Sequence, residues 1–346
     1  MLDDLKLIHN RDGQDALGVA EKQWQQYSQN YNFAWQPPRE VKQVIVAGMG
    51  GSGLAAKVIQ KCPGLTVSFE VVQDYVLPGY VDESTLVVCS SYSGNTEETR
   101  SVFDSIMGQP EEKRPMVVVV ASGGILLSSA QENKVPFIEL PGGYQPRMTL
   151  GYQMRALLEI FEQARLVNGA ISELESAAQT LEQQIAMWVP TVATKDNPAK
   201  QLAQELMGKS PVIYAGPNMF PVAYKWKISF NENAKNVAWC NQLPEFNHNE
   251  FLGWTSHPTD KPYGVIDLRS SLDDPRVKKR FEVSEKLLSG LRPHTHVVEA
   301  HGDSLLQQIL WTVALGDFVS LYLALLNGLN PTPVDLIEKF KVALTK

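Results

Sequence analysis

A β-branched run that stops at a cluster of glycines and passes straight into a helix-forming stretch is the feature that most limits how this chain can fold. Residues 41–47 (VKQVIVA) lead into Gly48-Met49-Gly50-Gly51-Ser52-Gly53, and residues 54–61 have helical composition. A short β-branched run bounded by glycines predicts a buried strand. The alternation continues with strands expected at 65–72, 84–89, 116–121 and 135–139, a helix at 97–107, and long helices at 151–167 and 171–188. It then restarts, because Pro211-Val212-Ile213-Tyr214-Ala215-Gly216 mirrors Val44-Ile45-Val46-Ala47-Gly48. A helical stretch follows, then strands at 264–268 and 296–300, a long helix from Ser304 and a short one over 334–344. Strands alternating with helices predict an α/β fold in which parallel sheets are covered on both faces.

The chain has 346 residues, which calls for two domains of ordinary size. The expected organisation is an N-terminal helical extension over 1–40, a first α/β subdomain over 41–165, a helical connection over 166–200 and a second subdomain over 201–346. Hydrophobic residues make up 44% and charged residues 20%, which is globular composition. A net charge of −7 argues against a nucleic-acid footprint, but an anionic substrate needs only local donors. The three cysteines, Cys62, Cys89 and Cys240, form no CxxC pair, so neither a disulfide framework nor a zinc motif is expected. The N-terminal residues lack a basic stretch followed by an apolar run, and the expected location is cytoplasmic. The apolar segment 309–326 has the length of a membrane span, but Asp317 at its middle favours a core helix.

The first glycine loop has two readings. Glycines let backbone approach a ligand closely, and a helix N-terminus suits phosphate. The same string satisfies GxGxxG, with Glu70 and Asp74 near the end of the second expected strand, so a dinucleotide remains open at this point. The loop after the third strand, Ser90-Ser91-Tyr92-Ser93-Gly94-Asn95-Thr96, is different: four hydroxyl side chains of Ser and Thr and a glycine precede a helix. A single Ser or Thr would suffice to cap that helix. The crowding of compact hydroxyl donors favours an anion site, for which a dinucleotide fold gives no reason.

GMGGSG and SSYSGNTEET together resemble the sugar isomerase (SIS) domain. Four further segments are similar to the bifunctional phosphoglucose/phosphomannose isomerase family. They are Pro146-Arg147-Met148-Thr149-Leu150-Gly151, Asn231-Glu232-Asn233-Ala234-Lys235, Pro244-Glu245-Phe246-Asn247-His248-Asn249-Glu250, and the tail Asn330-Pro331-Thr332-Pro333-Val334 with Phe340-Lys341. The resemblance covers about the whole chain from residue 41. It implies two SIS-type, three-layer α/β/α subdomains with flavodoxin-like parallel sheets, and a homodimer. It also implies an aldose–ketose isomerase that interconverts glucose 6-phosphate and mannose 6-phosphate with fructose 6-phosphate through an enediol(ate), with no cofactor and no metal.

Such a reaction needs a carboxylate base, a ring-opening acid/base and a stabiliser of the enediolate. The resemblance makes Glu232 the base; read alone, it is a helix-terminal glutamate flanked by asparagines able to orient it. It makes His248 the ring-opening group, contributed across the dimer interface; a histidine titrates near neutrality. Arg147 is the expected enediolate stabiliser, and Lys341, with Lys339 as the alternative, is expected to assist ring opening. Gly51, Ser52, Ser91, Ser93 and Thr96 are expected to bind the substrate phosphate, and Thr332 to leave space for the C2 epimer. His294 and His296 lie two apart, with no third ligand evident nearby. The loop Gly216-Pro217-Asn218-Met219-Phe220 has no hydroxyls, which predicts one phosphate site per chain. Two other readings remain: a non-catalytic sugar-phosphate sensor, which would need neither Glu232, His248 nor Arg147, and an NAD(P)-dependent oxidoreductase, which rests on GxGxxG alone.

Overall fold

The structure, a computed structural model, describes residues 1–62, 64–255 and 262–344. It divides into two compact units: Lys22–Thr180, and Met1–Glu21 together with Leu181–Lys346. The segment 1–40 is therefore not one extension. It holds the helices Leu5–Arg11 and Ala16–Glu21 and a 3-10 turn at Gln23–Ser28, and the boundary between units falls within it.

The Lys22–Thr180 unit is built on five parallel strands, β1 (Gln43–Ala47), β2 (Ser68–Val72), β3 (Thr85–Ser90), β4 (Met116–Ala121) and β5 (Phe137–Glu139), in the order β2-β1-β3-β4-β5. Every residue of β3 and β4 is buried, as their unbroken apolar runs require of strands covered on both faces. Ile45, Val87 and Val119 pack with Phe103 and Leu126 from the helices Glu97–Met107 and Gly124–Glu132. From β1 the chain runs outward to β2, and from β3 it runs outward in the other direction to β4. The ends of β1 and β3 thus form a topological switch point, the crevice where open α/β sheets bind ligands. Ala47 pairs with Cys89, so the loops leaving these two strands start side by side.

The other unit carries β6 (Ser210–Ala215), β7 (Trp239–Gln242), β8 (Tyr263–Arg269) and β9 (Thr295–Glu299), all parallel in the order β7-β6-β8-β9. Its central element is the helix Leu305–Leu326, opened by a capping box of Ser304 and Gln307. This helix has the length and apolarity of a membrane span, but 94% of its most apolar window is buried within the protein. Asp317 at its middle is ion-paired with Lys225, and Ser229 Oγ donates to the same carboxylate oxygen at 2.9 Å. The helix Ala16–Glu21 packs on it, and Asp12 holds the start of that short helix by accepting the Ala16 and Leu17 N–H groups, each at 2.8 Å.

Among the elements not expected are the helices Gly124–Glu132, Pro198–Glu205 and Pro275–Leu287, and strand β7. Pro275–Leu287 is mostly charged and buries only Val277, Phe281 and Ser284, too thin a stripe to stand out. β7 is an edge strand of which no residue is fully buried, so it lacks the apolar run that marks β8.

Candidate active site

At the switch point of the first sheet, the glycines are required by close approach. A Cβ on Gly48 would meet the Ser90 carbonyl at 2.7 Å, and one on Gly51 would meet the Pro146 carbonyl at 2.8 Å. Gly50 takes φ 48°, in the left-handed region that glycine enters without cost. The helix Gly50–Ile59 starts there with no side-chain cap, so its first N–H groups are not taken by a capping side chain. Ser52 is buried on its first turn, and its Oγ accepts the Tyr92 N–H at 3.0 Å.

The second loop folds back on itself. The Ser91 hydroxyl donates to Thr96 Oγ1 at 2.8 Å, and the Ser93 hydroxyl accepts the Asn95 N–H at 3.3 Å. Gly94, at φ 64°, lies so close to the Gly123 carbonyl that a Cβ would come within 1.8 Å of it. Thr96 stands at the N-cap of the helix Glu97–Met107 without making a side-chain cap bond. The capping explanation of these hydroxyls therefore does not describe the loop. Ser93 is exposed and Thr96 half-buried, whereas Ser52 and Ser91 are buried. Tyr92 braces the loop from inside: its hydroxyl donates to the Pro141 carbonyl at 2.8 Å and accepts the Tyr144 N–H at 3.1 Å, and burial raises its pKa. Its aromatic side chain gave no hint of this in the sequence.

Arg147 is buried in the 3-10 turn Pro146–Met148, next to Gly51, with Nη1 donating to Gln145 Oε1 at 3.3 Å. This turn is tied down by Thr149 Oγ1, which donates to the Pro146 carbonyl at 2.8 Å, and by Gln26 Nε2, which donates to the Met148 carbonyl at 2.8 Å. Gly51, Ser52, Ser91, Ser93, Thr96 and Arg147 are thus gathered at one end of one sheet. The dinucleotide reading gains little, since Glu70 instead accepts a hydrogen bond from the Tyr80 hydroxyl.

The second unit has a switch point of its own between β6 and β8, and there a carboxylate fills the space. A Cβ on Gly216 would come within 2.6 Å of Asp273 Oδ2. Asp273 is buried, accepts the Ser270 N–H at 3.4 Å, and is pushed up to about 6, chiefly by burial. An anion binding there would meet an acidic group rather than free N–H donors.

Glu232 is the last residue of the helix Phe220–Glu232. It lines a cavity of about 670 Å³ together with Asn231, Lys235, Asn330, Val334 and Ile337. The helix is held on Leu305–Leu326 by the Lys225–Asp317 pair, by Trp226 Nε1 donating to the Thr312 carbonyl at 2.8 Å, and by Asn233 Nδ2 donating to Ser320 Oγ at 2.9 Å. Asn231 Oδ1 accepts the Ala238 N–H at 3.0 Å. These two asparagines lock the helix end on which Glu232 sits.

Thr332 lies in the same neighbourhood, its N–H donating to Asn330 Oδ1 at 3.0 Å. His248 ends the 3-10 turn Glu245–His248 and is exposed. Lys341 is exposed on the helix Asp335–Leu344 and pairs with Glu338 at 2.7 Å. His248, Lys341, Lys339 and Thr332 are not among the residues lining the Glu232 cavity, although Asn330 and Pro333 on either side of Thr332 are. Lys235, which the sequence reading passed over, lines it as well. Its place three residues after Glu232 within NENAK was the available signal.

Residues 195–344 match the family described as the bacterial phospho-glucose isomerase C-terminal SIS domain. The chain is 33% identical over 309 residues to the bifunctional phosphoglucose/phosphomannose isomerase of Aquifex aeolicus, covering 88% of this chain and 91% of that protein. It is 33% identical over 319 residues to the protein of the same name from Caldicellulosiruptor bescii, covering 89% and 91%. Among solved structures, a glucose-6-phosphate isomerase like protein from Thermus thermophilus shares the fold, with a TM-score of 0.66 at 18% identity over 98% of each chain.

Proposed function

The chain belongs to the bifunctional phosphoglucose/phosphomannose isomerase family, and from that premise we propose how its residues divide the work of an aldose–ketose isomerase. The enzyme interconverts glucose 6-phosphate and mannose 6-phosphate with fructose 6-phosphate. The observation that carries this reading is the Glu232 carboxylate at the end of a locked helix, beside a cavity also lined by Asn330 and by residues 333–337.

The phosphate is held by the N–H groups opening the helix Gly50–Ile59 and by Ser52, Ser91, Ser93 and Thr96. Hydroxyls and backbone dipoles suffice for this without a lysine. His248, from the partner subunit of a homodimer, moves the proton between O5 and O1 to open the ring, and Lys341 or Lys339 assists. Glu232 then removes the proton from C2 of the open-chain aldose and returns it to C1. Arg147 stabilises the negative charge that gathers on the enediolate oxygens. Glucose and mannose 6-phosphates differ only at C2 and give the same enediol after rotation about C2–C3. One carboxylate therefore serves both where the pocket admits the rotation, and the short side chain of Thr332 is assigned that allowance. The sensor reading has no use for a helix terminus locked beside a cavity.

A coupled assay with each aldose phosphate tests the reading. Turnover of both is expected, and Thr332→Gln is expected to depress mannose 6-phosphate turnover more than glucose 6-phosphate turnover. Failure to turn over mannose 6-phosphate would remove the dual specificity, and equal effects of the substitution would remove Thr332 from it.

A further inference from the structure

Lys235 has a left-handed backbone, φ 51°, a conformation that residues other than glycine seldom adopt. That geometry follows the end of the helix Phe220–Glu232, where the last carbonyls have no intrahelical partner. The Lys235 ammonium turns back onto them. Nζ lies 2.9 Å from the Glu232 carbonyl oxygen and 3.3 Å from that of Asn233. The same Nζ lies 3.0 Å from the Asn330 carbonyl oxygen and 2.9 Å from that of Pro331. A lysine has three protons to donate, so four carbonyls share them. Bonds from a cation are stronger than neutral ones, and a positive charge is favoured at a helix C-terminus.

One ammonium therefore joins two segments that are remote in sequence. The first ends in Glu232, and the second carries Thr332. The turn that presents Lys235 is itself fixed, because Asn236 Nδ2 donates to the Lys209 carbonyl at 2.8 Å. Both tied segments line the cavity of about 670 Å³.

We propose that Lys235 is a positioning residue whose ammonium sets the spacing between the Glu232 helix end and the Asn330–Thr332 segment, and through it the enzyme's tolerance of the two C2 epimers. The inference rests on the reading of Glu232 as the base. A displaced segment changes the space available for rotation about C2–C3 while leaving the phosphate donors of the other unit in place. The effect should thus appear in kcat and in the ratio between substrates, and not in KM.

The test compares Lys235→Met, which keeps the stem and removes the donors, with Lys235→Arg, which restores a cation. In Lys235→Met, amide hydrogen exchange at Thr332 and Val334 should quicken on the order of tenfold as the segment loses its tie. A loss in kcat of about 10- to 100-fold is expected from misplacement of about an ångström. KM should hold, the mannose to glucose turnover ratio should move, and Lys235→Arg should recover most of both. Should the Met variant not fold, Lys235→Leu, which also lacks donors, carries the same comparison. Unchanged exchange at Thr332 and Val334, or a kcat loss with an unmoved ratio that arginine does not relieve, overturns the proposal. The exchange measurement is independent of catalysis. If Glu232→Gln stays active while Lys235→Met loosens the segment, it is the assignment of the base that fails and not the tie.

Discussion

The Ser52 hydroxyl accepts the Tyr92 N–H at 3.0 Å inside the Lys22–Thr180 unit, and this bond joins the loop after β1 to the loop after β3. It explains why the two hydroxyl-bearing loops form one surface. Gly48 admits the end of β3 and Gly51 admits the Pro146–Met148 turn, so each contact needs the absence of a side chain. Ser52 is thereby engaged in structure as the acceptor of a buried N–H, whereas Ser93 and Thr96 stand nearer to solvent.

This difference separates two kinds of serine substitution. The Ser93→Ala/Thr96→Ala double variant should raise KM more than it lowers kcat, since a hydrogen bond to a charged group contributes about 1.5–3 kcal/mol. Its melting temperature should fall less than that of Ser52→Ala, because the buried donor it leaves without its acceptor is the Ser91 hydroxyl, which can rotate to another partner, and not a fixed backbone N–H. Ser52→Ala should raise KM and also destabilise the fold by about 1–3 kcal/mol, because it leaves a buried N–H without its acceptor. An unchanged KM in the double variant would remove these loops from phosphate binding.

Glu232→Gln keeps the shape of the side chain and loses its basicity. Solvent deuterium should cease to enter C2 of the sugar phosphate, while binding of fructose 6-phosphate, measured by calorimetry, persists. Exchange at near wild-type rate would move the base elsewhere, with Glu245 and Glu250 the next carboxylates to test.

If His248 serves the neighbouring subunit, an inactive Glu232→Gln chain and an inactive His248→Ala chain should regain activity when mixed and reassembled. On the helix Asp335–Leu344, Leu336 is 80% and Phe340 62% exposed, apolar side chains that a homodimer would cover. A fully active monomer in sedimentation velocity would refute both points.

Asp273 should make the stability pH-dependent. Its folded pKa is raised from 3.8 to about 6, chiefly by burial. Between those values the folded state holds the proton and the unfolded state has lost it, so stability falls as pH rises through that window. Asp273→Asn should therefore melt higher than the wild type at pH 7, with the gap closing as pH falls towards 4. A gap that stays constant with pH would show that the carboxyl is not the cause.

The strand and helix pattern was legible because it is a local matter. β3 and β4 are continuous apolar runs, and the helix Glu97–Met107 and strand Met116–Ala121 lie at the bounds their residues suggest. The glycine and serine loops were legible for the same reason, since a strand, a loop of small residues and a helix start are contiguous in the chain. Elements with a thin apolar face, such as β7 and Pro275–Leu287, left too weak a local signal and became ordered through their neighbours. The partition of residues 1–40 was likewise invisible, because packing of Ala16–Glu21 on Leu305–Leu326 is a contact between the two ends of the chain. By itself the sequence determined the α/β class, the two switch-point loops and the residue types able to hold a phosphate or move a proton. Only the tertiary structure decided that Asp273 fills the second switch point and that Lys235 ties Glu232 to the 330–332 segment. Both depend on side chains meeting backbone from distant parts of the chain, and such meetings are set by how the elements pack rather than by any spacing along the sequence.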